Sequence, residues 1–398
     1  MSMTRARMLA LSLSVAMVIL LSAGPARAAV PTTASATWQT NATVWVTTYA
    51  KGAFYLAGDF TKVRPPGAAL GVNEVTRTYM AAFSASTGGL LSFNHTFNAR
   101  PSAIARSPDG SKLYVGGAFT TVDGKARSRL AAFDTATGAL TSWAPRANAS
   151  VKALAVSPDG SKIYIGGNFG SLNGVARTRL GAVNTSGTLD PNWKPTADAT
   201  VFAMAVAPDG SRVFIGGYFN YVNGQYRRAT ASLYPTSGAN APWASYKEVP
   251  AKTSTCDSNI KTVAVDTSKV YFGAEGTGGG CFDGTFAARQ SDGVKVWRDN
   301  CLGATQAVVV IGSWLYVGSH AHDCHTVVGG FPQVSSGHAH HLMRESTADG
   351  HIDSTWFPNT NGNPLGPRAL ATDGARLAVG GDFTYVNNKP QQGFTKFG

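Results

Sequence analysis

The stretch Val151-Lys-Ala-Leu-Ala-Val-Ser-Pro-Asp-Gly-Ser-Lys-Ile-Tyr-Ile-Gly-Gly-Asn-Phe169 returns about fifty residues later as Val201 to Phe219; about fifty residues earlier a copy ends Leu113-Tyr-Val-Gly-Gly-Ala-Phe119. Self-similarity at a fixed period of this size means stacked copies of one supersecondary unit. Residues that recur in every copy therefore belong first to the architecture.

Each unit reads as four short strands. The first alternates, with Ala153 and Ala155 set against Leu154 and Val156. An Asp-Gly pair follows at 109–110, 159–160, 209–210 and 373–374. Flanked by β-prone runs, such a pair signals a hairpin, because glycine accepts positive φ without a steric penalty. The second strand ends on a double glycine at 116–117, 166–167, 216–217 and 380–381, the mark of a bulge or a close backbone approach. Phe60, Phe119, Phe169, Phe219 and Phe383, two positions on, then have room to pack between neighbouring sheets. A polar loop leads to the third strand, Arg129 to Phe133 or Arg179 to Val183. The fourth carries Trp143, Trp193, Trp243, Trp297 or Trp356.

Four short strands per repeat with one periodic aromatic is the cue for a propeller blade. The second glycine position recurs as Gly58, Gly117, Gly167 and Gly217, as degenerate copies at Ala274 and Ser319, and as Gly381. The expectation is an all-β chain, a seven-bladed β-propeller with four-stranded blades. The C-terminus stops after a third strand, Gly393 to Phe397, while an orphan fourth strand around Trp38 opens the mature chain. The N-terminal strand is therefore expected to complete the last blade and close the ring, which removes exposed edges. Residues 29–398 read as a single propeller domain.

Residues 1–28 read as a secretory signal peptide: Arg5 and Arg7, an apolar run from Met8 to Leu21, and the small-x-small site Ala26-Arg27-Ala28. The run falls short of the roughly 20 residues a membrane-spanning helix needs, and no second long run follows, so the mature chain is not expected to insert into a membrane. The formal net charge is +12; without Arg5, Arg7 and Arg27 it is about +9, from 34 basic residues less three against 22 acidic ones. No basic block of five or more appears, so a soluble surface is expected and not a nucleic-acid partner. The expected location is secreted, extracellular or cell-wall associated, and the expected state a monomer.

Cys256, Cys281, Cys301 and Cys324 all fall in the two degenerate units. In each, one cysteine precedes the first strand and one follows the second, and these connections emerge on the same face of a propeller. Disulfides 256–281 and 301–324 are favoured over the other two pairings, as an oxidising compartment permits. Thiolate ligation of a metal is the alternative.

Seven of the eight histidines lie between His320 and His351. In extended chain His320 and His322 point to one side, a spacing that suits two imidazole ligands of a divalent transition metal. Asp323, His325 or the group at His338, His340 and His341 would close the site. The glycine-rich Glu275 to Phe282 occupies the matching place in the fifth unit; no helix and no Lys-Ser/Thr pair follows, so it is not a phosphate loop. Glu275, Phe282, His320, His322 and Asp323 are the ligand-face candidates. Asn41, Asn98, Asn148, Asp198 and Asp257 recur before strand one and read as turn caps. Arg77, Arg127, Arg129, Arg177, Arg179 and Arg227 read as ion-pair or backbone partners between units.

The sequence Phe-x-x-Val-Asn/Asp-Gly after Gly-Gly, as at Phe119 to Gly124 and Phe219 to Gly224, resembles the secreted bacterial "delta-sixty" repeat β-propellers. The resemblance spans the mature chain and departs in units five and six, where the double glycines are lost and cysteine and histidine appear. It implies a secreted propeller and carries no catalytic residues with it, since fold alone does not set function. The function expected is an extracellular binding or scaffolding module for a glycan or protein, acting through the loop face of units five and six. The alternative is a metal-dependent hydrolase or oxidase centred on His320, His322 and Asp323.

Overall fold

The structure, a computed structural model, describes residues 29–277, 281–334, 339–362 and 366–398. The expected leader lies outside them. Among these residues the chain is all-β apart from one 3-10 turn at Ser245–Lys247. The quoted stretch forms a hairpin of Val151–Val156 and Lys162–Gly167, and the second strand pairs on its far side with Leu180–Asn184. Gly160 takes up φ +74° at the turn, where Asp159 Oδ1 accepts from the Ser161 amide at 3.1 Å. The same antiparallel order recurs over 44–84, 101–134, 201–233, 257–289, 305–346 and 367–397. The third strand starts one residue later than expected, because Arg129 and Arg179 sit at φ +70° and +69° and turn the chain into it.

First strands lie side by side. Val151–Val156 packs between Pro101–Arg106 and Val201–Val206, and Val44–Ala50 lies against both Pro101–Arg106 and Pro367–Thr372. The apolar core runs between the sheets rather than within them. Tyr114 and Leu130 of one sheet share a cluster with Val151 and Ile163 of the next, and Phe54 and Leu56 share one with Ala378 and Phe394. Phe60, Phe119, Phe169, Phe219 and Phe383 are all fully buried there, as the repeat predicts.

The double glycines make this closeness possible. A Cβ on Gly166 would stand 2.9 Å from Val201 Cγ1 of the following sheet, and one on Gly380 would stand 2.5 Å from Val44 Cγ1. Gly116 faces Val151, and Gly216 faces Ile260, more closely still.

The four-stranded expectation needs correction. Lys295–Arg298 is a full fourth strand and Ala34–Ser35 a two-residue one on the last sheet, but in the other five sheets that position shrinks to single bridges such as Phe133 with Leu140 and Val183 with Leu189. The tryptophans of these segments tie one sheet to the next. Trp143 meets Tyr114 edge to face with centroids 5.0 Å apart, and its Nε1 donates 3.2 Å to the Asn184 carbonyl of the next sheet. Trp193 does the same with Tyr164 and the Tyr234 carbonyl. Trp297, on the full fourth strand, makes the same reach, its Nε1 donating 3.1 Å to the Thr347 carbonyl, so the cross-sheet indole is compatible with either arrangement.

At the ends, Ala34–Ser35 pairs antiparallel with Phe397 and Lys396, and Trp356 Nε1 donates 2.9 Å to the Val30 carbonyl. Both favoured disulfides are present, Cys256–Cys281 and Cys301–Cys324, with Cα atoms 5.3 and 4.3 Å apart. Among the described residues no helix is long and apolar enough to cross a membrane.

One buried polar group joins the fifth and sixth sheets. The Thr285 hydroxyl lies 2.6 Å from Glu345 Oε2 and also bonds Asp299, and both carboxyls are fully buried. One hydroxyl proton cannot serve two carboxylates, so the pair holds a proton of its own. Burial first, and then the Asp299 charge, hold Glu345 well above the usual carboxylate range.

Two predictions follow from the packing. Gly216→Ala drives a methyl into Ile260 and is expected to cost about 1–3 kcal/mol in urea unfolding. A carboxyl raised in the folded state stabilises it at low pH and loses that contribution as pH rises through the raised value. Glu345→Gln should therefore gain stability over the wild type as pH goes from about 5 to about 8, read from the difference in unfolding midpoints.

Candidate functional site

Every first strand carries a bulge, at its second residue in six sheets and at the fifth residue of Asp257–Val265. Register with the second strand slips between Val44 and Val46, Pro101 and Ala103, Val151 and Ala153, and Val201 and Ala203. It slips likewise between Ile260 and Thr262, Thr305 and Ala307, and Pro367 and Ala369. The residues passed over are Trp45, Ser102, Lys152, Phe202, Lys261, Gln306 and Arg368. A bulge leaves its residue out of the ladder and re-aims the side chain. All seven line one cavity of about 230 Å³ between the first strands.

Acidic partners come from the position after the second glycine or its degenerate copy. Asp59 accepts from Trp45 Nε1 at 2.5 Å and from Arg100 at 2.9 Å, and Arg368 donates to Asp382 at 3.0 Å. The Arg100 and Arg368 guanidiniums lie 4.6 and 4.3 Å from the centroid of Trp45, within cation–π range. Glu275 takes a 2.7 Å bond from Gln306 and sits 3.5 Å from Lys261 Nζ, which lies 5.0 Å from the Phe202 ring centroid. Lys152 has no ion pair or side-chain hydrogen bond among the described residues. Burial, then the charges of Arg100 and Lys261, push its ammonium below the usual lysine value.

Of the expected ligand-face residues, Glu275 bonds two residues that line this cavity, and His320 holds the matching place after the degenerate glycine of the sixth sheet. His320 Nδ1 is buried without a hydrogen-bond partner among the described residues. Burial, then His322 and His341, hold its pKa below the usual imidazole value, while Glu275 works the other way. His322 stands beside it, with ring centroids 6.4 Å apart. Phe282 is a correction: it is buried under the Arg298 guanidinium at 4.0 Å, and its amide bonds Ser258 Oγ at 2.9 Å.

The expected metal set of His320, His322, Asp323, His340 and His341 is not assembled. Asp323 turns to His325, accepting from its amide at 3.1 Å and pairing with its Nδ1 at 2.6 Å. His340 pairs across the sheet with Ala321, so alternation puts it on the face opposite His320; its ring packs between Phe331 and Phe357. His341 bonds the Thr360 carbonyl through Nδ1. Among the described residues no group of three or more His, Cys, Asp or Glu converges on a metal-sized point; His338 lies outside them.

The recurrent Asn and Asp residues cap turns. Asn98 Oδ1 accepts from the Thr120 and Thr121 amides at 2.8 and 3.0 Å, and Asn148 and Asp198 repeat the pattern. Asp257 departs from it, pairing with Lys252 at 2.6 Å and Arg228 at 3.1 Å. The recurrent arginines bond backbone, as Arg127 does with the Ala126 and Thr141 carbonyls.

The bulge residues escaped the sequence reading, although they carry a signal. Within an otherwise repeating strand, this one position runs Trp, Ser, Lys, Phe, Lys, Gln, Arg. A larger cavity, about 610 Å³, is lined by Ser107, Asp109, Trp143 and Asp159. Those residues recur with the unit, so this cavity follows from the architecture.

Residues 158–192 match a family model described as a domain of unknown function (DUF5122) beta-propeller. No curated protein matches the chain in sequence. Among solved structures, a chain of the mitotic checkpoint complex is similar with TM-score 0.58 at 13% identity, covering 99% of this chain and 98% of that one. The structure of U3-55K is similar with TM-score 0.57 at 9% identity, covering 91% and 97%. The computationally designed Ika8 protein gives 0.51 at 11%, covering 90% and 91%. At these identities the likeness is one of fold, and the fold is that of a β-propeller.

His320 provides a probe of the mouth. Its NMR titration is expected below the usual histidine value; Glu275→Gln should lower the midpoint further and His322→Asn should raise it, since each removes one of the opposing charges.

Proposed function

We propose that the chain is a secreted, delta-sixty-type propeller of seven blades that acts as an extracellular binding or scaffolding module. Its ring is closed by the N-terminal strand, and its ligand face is the channel mouth at the double-glycine end. The reading rests on one observation above all: the bulged position of each first strand departs from the repeat and brings chemically different side chains to a single cavity. Residues kept for architecture repeat with the fold, as the glycines, phenylalanines and turn caps do here. Residues that vary at one fixed geometric position are free to serve a ligand. The mouth takes in Glu275 and His320, so the face expected at blades five and six becomes part of a wider rim. The two disulfides accord with an extracellular setting.

Closure is tested by deleting residues 29–37, which removes the Ala34–Ser35 pairing and the Val30 carbonyl. The deletion is expected to lower the urea midpoint well beyond the effect of a surface substitution, roughly 0.5 kcal/mol. An unchanged midpoint would count against the closed ring. For function, immobilised protein is presented with a panel of extracellular polysaccharides and glycoproteins. Trp45→Ala and Phe202→Ala remove aromatic surface from the channel and are expected to weaken any binding by about tenfold or more. Binding indifferent to both variants would place the ligand elsewhere.

A further inference from the structure

We infer that the channel is built around one unneutralised cation, Lys152, and takes up a small monocarboxylate whose anionic group sits on that ammonium. The inference rests on the reading of the channel mouth as the ligand face.

The charge inventory carries it. Four cations reach the cavity or its rim: Arg100, Lys152, Lys261 and Arg368. Three carboxylates answer them, and each is engaged: Asp59 by Arg100, Glu275 by Lys261 and Gln306, Asp382 by Arg368. Lys152 alone is left over, on a bulge that points it into the cavity. A half-buried ammonium held near two other cations is electrostatically uncomfortable, and its depressed pKa reports that. An anion on Lys152 would relieve both the desolvation and the like-charge repulsion.

The same inventory selects the kind of anion. One surplus positive charge matches one negative charge. A phosphate dianion would bring a second charge toward Asp59 and Glu275, with no free cation to meet it. A neutral sugar would cover Lys152 and leave it unpaired, which is costly for a buried charge. The volume of about 230 Å³ corresponds to roughly eight waters at about 30 Å³ each, so the guest is small. Alanines 103, 153, 203, 307 and 369 keep the wall behind the bulges low, while Trp45 and Phe202 offer flat apolar surface to the body of the ligand.

Titration calorimetry on the folded, disulfide-bonded protein tests this with sodium glucuronate as probe, and with glucose and inorganic phosphate alongside. Wild type is expected to bind glucuronate saturably, with glucose and phosphate weaker by about tenfold or more. Lys152→Gln should lose about tenfold or more of the glucuronate affinity, and Lys152→Arg should recover most of it. Methylated Lys152, followed by NMR, should show its pKa rising when glucuronate is added. Equal glucuronate binding by wild type and Lys152→Gln overturns the inference, as does phosphate or glucose binding as tightly as glucuronate. Absence of glucuronate binding overturns it too. In that case polysaccharide or glycoprotein binding sensitive to Trp45→Ala and Phe202→Ala would still uphold the channel mouth as the ligand face.

Discussion

A side chain from one sheet resting on a bare glycine of the sheet before it is the contact on which the rest of this molecule depends. Val151 rests on Gly116, Val201 on Gly166, Ile260 on Gly216 and Val44 on Gly380. The four resting side chains are fully buried. Each is worth about 1.5–3 kcal/mol of apolar burial, and none could approach so closely over a Cβ. Where the glycine pair degenerates, the contact persists in altered form, with Thr305 on Gly273 and Pro367 against Gly318. The first glycine is retained even in the two units whose second glycine has become Ala274 or Ser319; the first unit is the exception, with Ala57 at that place.

That contact also accounts for the site. The residue that rests on the glycine and the one two places on are committed to the ladder, and the residue between them is left out of it. The bulge is thus a by-product of packing that frees one position per sheet. Seven such positions share one cavity, and the frame imposes no chemistry on them. In this chain they carry two aromatics, three cations, an amide and a hydroxyl, and among the described residues nearby carboxylates neutralise every cation of the cavity except Lys152.

Much of this was legible in the sequence, because repetition exposes whatever packing demands. The Asp-Gly turns, the buried Phe119 and Phe169 and the cap at Asn148 all follow from period and turn chemistry, whereas the N-terminal strand on the last sheet is Ala34–Ser35, ahead of the Trp38 segment expected there. The disulfide pairs follow from their matching places in two successive units. Trp143 and Trp193 misled the strand count, since a periodic tryptophan looks the same whether its segment pairs fully, as that of Trp297 does, or by a single bridge. The histidines misled for a different reason. Sequence proximity brought His320, His322 and His340 together on paper, whereas the pairing of His340 with Ala321 sends it to the opposite face. The cavity was hidden because a bulge is a feature of pairing, invisible in one strand read alone. Only the loss of periodicity at a single position marked it.

The central claim is that bulge positions are free of the frame. It is tested most directly by urea unfolding of a Lys152→Ser/Phe202→Ser chain, two substitutions that give both strands the residue found at Ser102. The account predicts one cooperative transition, with stability within about 0.5 kcal/mol per site of the wild type. A loss of about 2–5 kcal/mol, as for truncation of a packed core residue, would contradict it and make these side chains part of the structure they are held to line.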